Sequence, residues 1–274
     1  MGLKVGLVLS GGGAKGLAHI GVIKCLEKNN IPIDIITGSS AGAIIGGIYA
    51  SGTSIKNIEE IVFDLGYKEV GRLLFDPQKL SYGLIKGDKI TKFIYDVLTE
   101  KMIEKFPTKF GCVTVDITKG RRIVITKGDA AEAIRASMSV PVIFKPVIYK
   151  KLFLVDGGVI DPLPVQPAKD LGANVIIASD VSGFYPLSKE FKNGEKVKLS
   201  DTIKSTMMIM QRRIVELDFK NYENAVRIQP DVKNIPIFKF GSKEVAEKAI
   251  ENGEKATSKK IKKIKEMIGN YRKK

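Results

Sequence analysis

The sequence predicts an α/β protein with a central, mostly parallel sheet between layers of helices. One observation predicts it. Apolar runs of strand length alternate with segments of helical periodicity along the chain. That order is the signature of strands joined through crossover helices, which cover a parallel sheet on both faces.

Each element has its own warrant. Leu3–Leu9 reads as a strand, and a glycine-rich loop leads from it into a helix from about Leu17 to Asn29. Ile33–Thr37 is a second strand and Ala41–Ala50 a second helix, apolar and rich in small residues. From Ile55 to Glu104 the chain turns helical and amphipathic, an insertion that suits either a lid over the strand ends or plain helical packing. Strand patterns return at Phe110–Asp116, Arg122–Thr126, Leu152–Val155 and Asn174–Ser179, with helical patterns at Asp129–Ser137 and Val165–Leu171 between them. A long helix around Asp201–Phe219, a short strand at Ala225–Ile228 and a last helix pair complete the order. No repeat, linker or domain boundary interrupts 1–274, so one domain is expected, with the motifs in 4–181 and a helical, basic portion over 200–274.

Composition narrows the class. The chain is 44% hydrophobic and 27% charged, as ordinary globular proteins are. No apolar window approaches the ~18 residues a membrane span needs. The N-terminus lacks the features of a signal peptide, and Gly6 stands where myristoylation wants Ser or Thr. Two distant cysteines, Cys25 and Cys112, exclude a disulfide framework or zinc ribbon and fit a reducing compartment. A cytoplasmic location, with peripheral membrane contact, is the expectation. The net charge of +15 favours anionic partners, and Lys259–Lys274 carries eight basic residues against one Glu. Within that stretch Ile261, Ile264, Met267 and Ile268 recur at helical spacing. The stripe fits a helix packed on the core, and it also fits a basic helix on an anionic membrane surface.

Three motifs carry chemistry. Ser10-Gly11-Gly12-Gly13-Ala14-Lys15-Gly16 follows the first strand. Its glycines let successive N–H groups converge on an anion at a helix start. Gly11-x-Gly13-x-x-Gly16 also matches the dinucleotide fingerprint, with Asp34 downstream, although Asp34 opens its strand where a ribose-binding acid should close it. Next, Gly38-Ser39-Ser40-Ala41-Gly42 joins a strand to a helix, the setting of a nucleophile elbow. A helix N-cap serine explains the same residues. Ser40 alone has glycines two positions to either side. Last, Asp156-Gly157-Gly158 ends a strand, as an ordinary turn would.

Together and in this order the three motifs resemble the patatin-like phospholipase family in its short bacterial form. Supporting segments are similar too: Gly83–Asp88, Ile134–Ser137 leading to Pro141, Phe144 and Pro146-Val147, and Asp161–Val165. The likeness implies a three-layer patatin-like fold and a serine lipid acyl hydrolase of the phospholipase A, lysophospholipase or esterase type. It implies Ser40 as nucleophile, Asp156 as the group that takes its proton, and Gly11, Gly12 and Gly13 as the oxyanion hole. No metal or cofactor is required, and no nucleic-acid partner is expected; the partner is a lipid or other acyl ester. Lys15, where the family usually has Arg, would face an anionic headgroup or solvent. His19, the one histidine, is assigned to orienting the loop rather than to acting as base. A family Pro-Gly-Ile-Phe segment reads Pro141-Val142-Ile143-Phe144, which is expected to narrow a pocket wall. Two rivals stand beside this reading: a patatin-fold regulatory or binding protein with little turnover, and a dinucleotide-dependent oxidoreductase.

Overall fold

A computed structural model describes residues 2–74, 85–182, 199–237 and 239–272. Among them the strands form one eight-stranded mixed sheet. Strand β1 (Val5–Leu9) lies at its centre, parallel to β2 (Ile35–Ser39) on one side and β7 (Val175–Ser179) on the other. β3 (Lys109–Asp116) pairs parallel with β2, and β8 (Ala225–Ile228) parallel with β7. β4 (Arg121–Ile125), β5 (Val147–Tyr149) and β6 (Leu152–Asp156) form the antiparallel end. Every residue of β1, β2 and β7 is buried, which explains why these strands read as unbroken apolar runs.

The helices fall close to where periodicity predicts them. α1 spans Ala18–Lys28 after a short 3₁₀ turn over Gly13–Leu17, and α2 spans Ala41–Ala50. The insertion contains α3 (Ile55–Asp64), α4 (Tyr67–Leu74) and α5 (Asp88–Val97). Ile55, Ile58, Ile90 and Ile94 bury into the main core, so α3 and α5 pack as ordinary helices. Part of the Gly83–Asp88 segment lies outside the described residues. α6 (Ala130–Ser137) and α7 (Val165–Asp170) flank the sheet, and α8 (Leu199–Phe219) follows β7. α9 (Lys243–Ser258) and α10 (Ile261–Arg272) close the chain. The α10 stripe is decided: Ile264 and Ile268 are buried in the main core, against which Ile261 and Met267 also pack. That face is therefore not offered to a membrane. Lys273 and Lys274 lie outside the described residues. No described helix is long and apolar enough to cross a membrane.

One topological detail positions the site. β3 has two edges. β4 pairs with Cys112–Asp116, overlapping both β2, which pairs with Lys109–Val113, and β6, which pairs with Thr114–Asp116. β2 and β6 must therefore share the other edge. β6 takes over where β2 stops, running the opposite way. Val113 faces Ser39, and the next residue, Thr114, faces Asp156.

Candidate active site

Ser40 turns the chain from β2 into α2 with φ 53° and ψ −120°. An L-residue reaches this conformation only under strain, and the sharp reversal lifts the side chain off the strand end. The flanking glycines are required by close approach. A β-carbon on Gly38 would collide with the Gly42 carbonyl, and one on Gly42 with the Leu9 carbonyl. The turn is tied from behind: the Ser40 N–H donates to the Ser137 hydroxyl at 3.0 Å, which donates to the Val113 carbonyl at 2.6 Å. Ser39 is fully buried against Gly157, so Ser40 is the serine on the accessible side of the turn.

Asp156 arrives from the end of β6 and is only 3% exposed. Its backbone N–H is fixed to the Ser139 carbonyl at 3.0 Å. One carboxylate oxygen, Oδ1, accepts the Gly158 N–H at 2.7 Å. Oδ2 is buried without a well-aligned hydrogen bond. Burial pushes the carboxyl up to about 6, against the downward pull of the Ser40 hydroxyl and the Gly158 N–H. The Ser40 hydroxyl is thus close enough to act on the carboxyl electrostatically, though not aligned as a full hydrogen bond to it.

The glycine loop crosses above Ser40: a β-carbon on Gly11 would stand 3.3 Å from that of Ser40. The expected trio of donors narrows to two. The Gly11 N–H is consumed by the Pro162 carbonyl at 3.0 Å, because the Asp161–Pro164 segment clamps the loop. Among the described residues the N–H groups of Gly12 and Gly13 have no acceptor. Gly13 has φ 59°, and a β-carbon there would strike the Ile237 carbonyl, which also accepts the Ala14 N–H at 2.8 Å.

His19 is fully buried, with both ring nitrogens used. Nε2 faces the Ser10 carbonyl at 2.9 Å and must donate, so Nδ1 accepts from the Ser179 hydroxyl at 2.8 Å. Burial lowers its pKa to about 4, leaving a neutral ring that braces the loop. Lys15 is buried rather than solvated, and burial lowers its pKa to about 8. Val142 is 62% exposed, so it does not narrow an internal wall; its peculiarity is a φ of 72°. Sequence reading assigned no role to Ser137, Ser139 or Pro162. Ser137 and Pro162 lie in segments noted for their family likeness, which was the available signal, and Ser139 lies just beyond one of them.

The dinucleotide reading fails on placement. Asp34 precedes β2, accepting the Val5 N–H at 2.8 Å and pairing with Lys4 at 3.4 Å. It therefore sits at the opposite end of the sheet from the glycine loop. Among the described residues no group of three or more His, Cys, Asp or Glu is arranged to hold a metal ion.

Fold and site define a three-layer α/β protein in which a serine on a strained strand-to-helix turn lies beneath a glycine loop, beside a buried carboxylate. Residues 7–169 match the family model of patatin-like phospholipase, and the chain belongs to that family. It is 39% identical over 179 residues to lysophospholipase NTE1 of Candida albicans, covering 65% of this chain and 13% of that protein. Lysophospholipase nte1 of Neurospora crassa is 40% identical over 186 residues, covering 66% and 12%. An uncharacterised NTE family protein of Mycobacterium tuberculosis is 34% identical over 180 residues, covering 66% of this chain and 49% of that protein. The chain thus spans half or less of these relatives. Among solved structures, VipD from Legionella pneumophila aligns with a TM-score of 0.55 at 16% identity, covering 96% of this chain and 67% of VipD. The type III effector ExoU aligns at 0.50 and 15%, covering 96% and 53%. These two support the fold alone.

Proposed function

We propose that the protein is a serine lipid acyl hydrolase working through Ser40 and Asp156, with a lysophospholipid or related acyl ester as substrate. The observation that carries the reading is a buried carboxyl, raised to about 6, beside the strained Ser40 and under two glycine amides that have no acceptor among the described residues. A free carboxylate near pKa ~4 is a poor base toward an alcohol; burial improves it. Ser40 Oγ attacks the acyl carbonyl while its proton passes to Asp156. The oxyanion forms against the N–H groups of Gly12 and Gly13. Removing one donor of this kind costs ~2.7–4 kcal/mol in comparable hydrolases, so the pair is a major share of the catalysis. Collapse breaks the ester C–O bond, and the Asp156 proton goes to the departing alcohol. Water then attacks acyl-Ser40, giving its proton to Asp156, and collapse releases the fatty acid and restores Ser40.

A fluorophosphonate probe tests the nucleophile: it labels the wild type and not Ser40→Ala. A folded wild type that stays unlabelled ends the reading. Asp156→Asn loses turnover by several orders of magnitude. Because Asp156 must be ionised to accept a proton, kcat/KM on a soluble ester falls as pH drops through about 6. A profile flat from neutrality down to acid pH would remove Asp156 from the role.

A further inference from the structure

The antiparallel end of the sheet carries an apolar row that no core among the described residues covers. Ile148 is paired with Phe153 across β5 and β6. The β3–β6 ladder continues one position further, since the Ile117 N–H donates to the Phe153 carbonyl at 3.0 Å. Directly paired residues share a sheet face, so Ile117, Phe153 and Ile148 stand side by side across three strands. They are 51%, 44% and 64% exposed. Isolated exposed apolar residues are common; three in register are a surface.

Position and charge identify the occupant. Ile117 lies four residues beyond Val113, the residue level with Ser39, or about 13 Å at ~3.3 Å per residue. The row therefore projects past the strand end that carries Ser40, on the same end of the sheet. Exposed lysines flank its outer end, Lys150 and Lys151 at the β5–β6 turn and Lys119 at the β3–β4 turn, while on the inner side Ile148 lines a cleft of mixed charge with Asp88, Asp129, Glu132, Lys92 and Lys145. Neither 117–122 nor 145–154 contains an acidic residue. Aliphatic and aromatic tips flanked by lysines match the boundary between anionic headgroups and acyl chains.

We propose that Ile117, Phe153 and Ile148, with Lys119, Lys150 and Lys151, form the face on which this protein rests on an anionic lipid surface, bringing Ser40 to its substrate. The proposal builds on the acyl-hydrolase reading, but its test does not depend on turnover. The Ser40→Ala protein is sedimented with phosphatidylcholine vesicles, with and without phosphatidylglycerol. It binds the phosphatidylglycerol vesicles and loses that binding as salt rises. Adding Ile117→Ser, Ile148→Ser and Phe153→Ser lowers partitioning at least about tenfold. Lys150→Gln with Lys151→Gln lowers it by about an order of magnitude on anionic vesicles only. In the Ser40 background, both sets leave soluble-ester turnover unchanged. Absence of vesicle binding, or binding indifferent to both sets, overturns the proposal. So does a wild-type oligomer that the serine variants dissolve, which would make the face a protein interface. A folded wild type that the fluorophosphonate leaves unlabelled would end the hydrolase reading and leave the vesicle result standing.

Discussion

Val142 shows how a single residue carries strain. Its φ of 72° places a β-branched side chain in the left-handed region, where an ordinary L-residue loses ~1–2 kcal/mol and a branched one more. The family pattern that this segment resembles implies glycine at this step, and a left-handed backbone supplies the reason. Val142→Gly removes the strain while adding ~0.5–1 kcal/mol of chain entropy in the unfolded state. The expected result is a net gain near ~1 kcal/mol and a melting temperature higher by a few degrees; a lower one would mean the valine is held by contacts that outweigh the strain. Ser40 is the other strained residue of consequence, and it was legible beforehand. The glycines at 38 and 42 gave its identity away because each must vacate space for a carbonyl. Asp156 was not legible in the same way. An Asp-Gly-Gly turn says nothing about which strand end it meets, and only family likeness singled it out.

At the scale of elements, what escaped sequence reading is the pairing. β2, α2 and β8 were visible from local pattern, but β5 was not. Its hairpin turn places Lys150 and Lys151 at φ 46° and 68°, a task usually given to Asn-Gly or Asp-Gly, so the turn carried no signature. Nor does any local pattern disclose that β6 continues the line of β2 along β3, which is what sets Asp156 beside Ser40. Ser137 ties these elements together. It ends α6, receives the Ser40 N–H and donates to the β3 carbonyl of Val113. Ser137→Ala strands both partners in a buried place, costing ~1–3 kcal/mol of stability. With the elbow released, kcat on a soluble ester falls while KM changes little. Glycine there deepens both losses, and threonine, which keeps the hydroxyl, restores part of the rate. Equal activity in Ser137→Ala and wild type would reduce this serine to a packing residue.

Across the whole molecule, two buried groups, one beside Ser40 and one behind the glycine loop, set opposing dependences of stability on pH. Asp156 has a folded pKa of about 6, above its usual value of 3.8, so between these limits the folded protein holds the proton more tightly than the unfolded chain does. Its contribution is present at low pH and lost as pH rises from about 4 to 6; at neutrality the ionised, buried carboxylate costs about 3 kcal/mol. His19 runs the other way. Its folded pKa is about 4, below the usual 6.5, so the unfolded chain takes the proton first and stability is lost as pH falls through the same window. The two terms largely cancel in the wild type. Asp156→Asn removes one of them. The variant is therefore more stable than wild type at pH 7 by up to about 3 kcal/mol, and the gap closes toward pH 4 as the wild-type carboxyl becomes neutral. Urea unfolding of both proteins across this range measures the difference directly, with other titrating groups common to both. A constant gap would mean that Asp156 is not ionised at a cost in the folded state, and the raised basicity on which its proposed role depends would go with it.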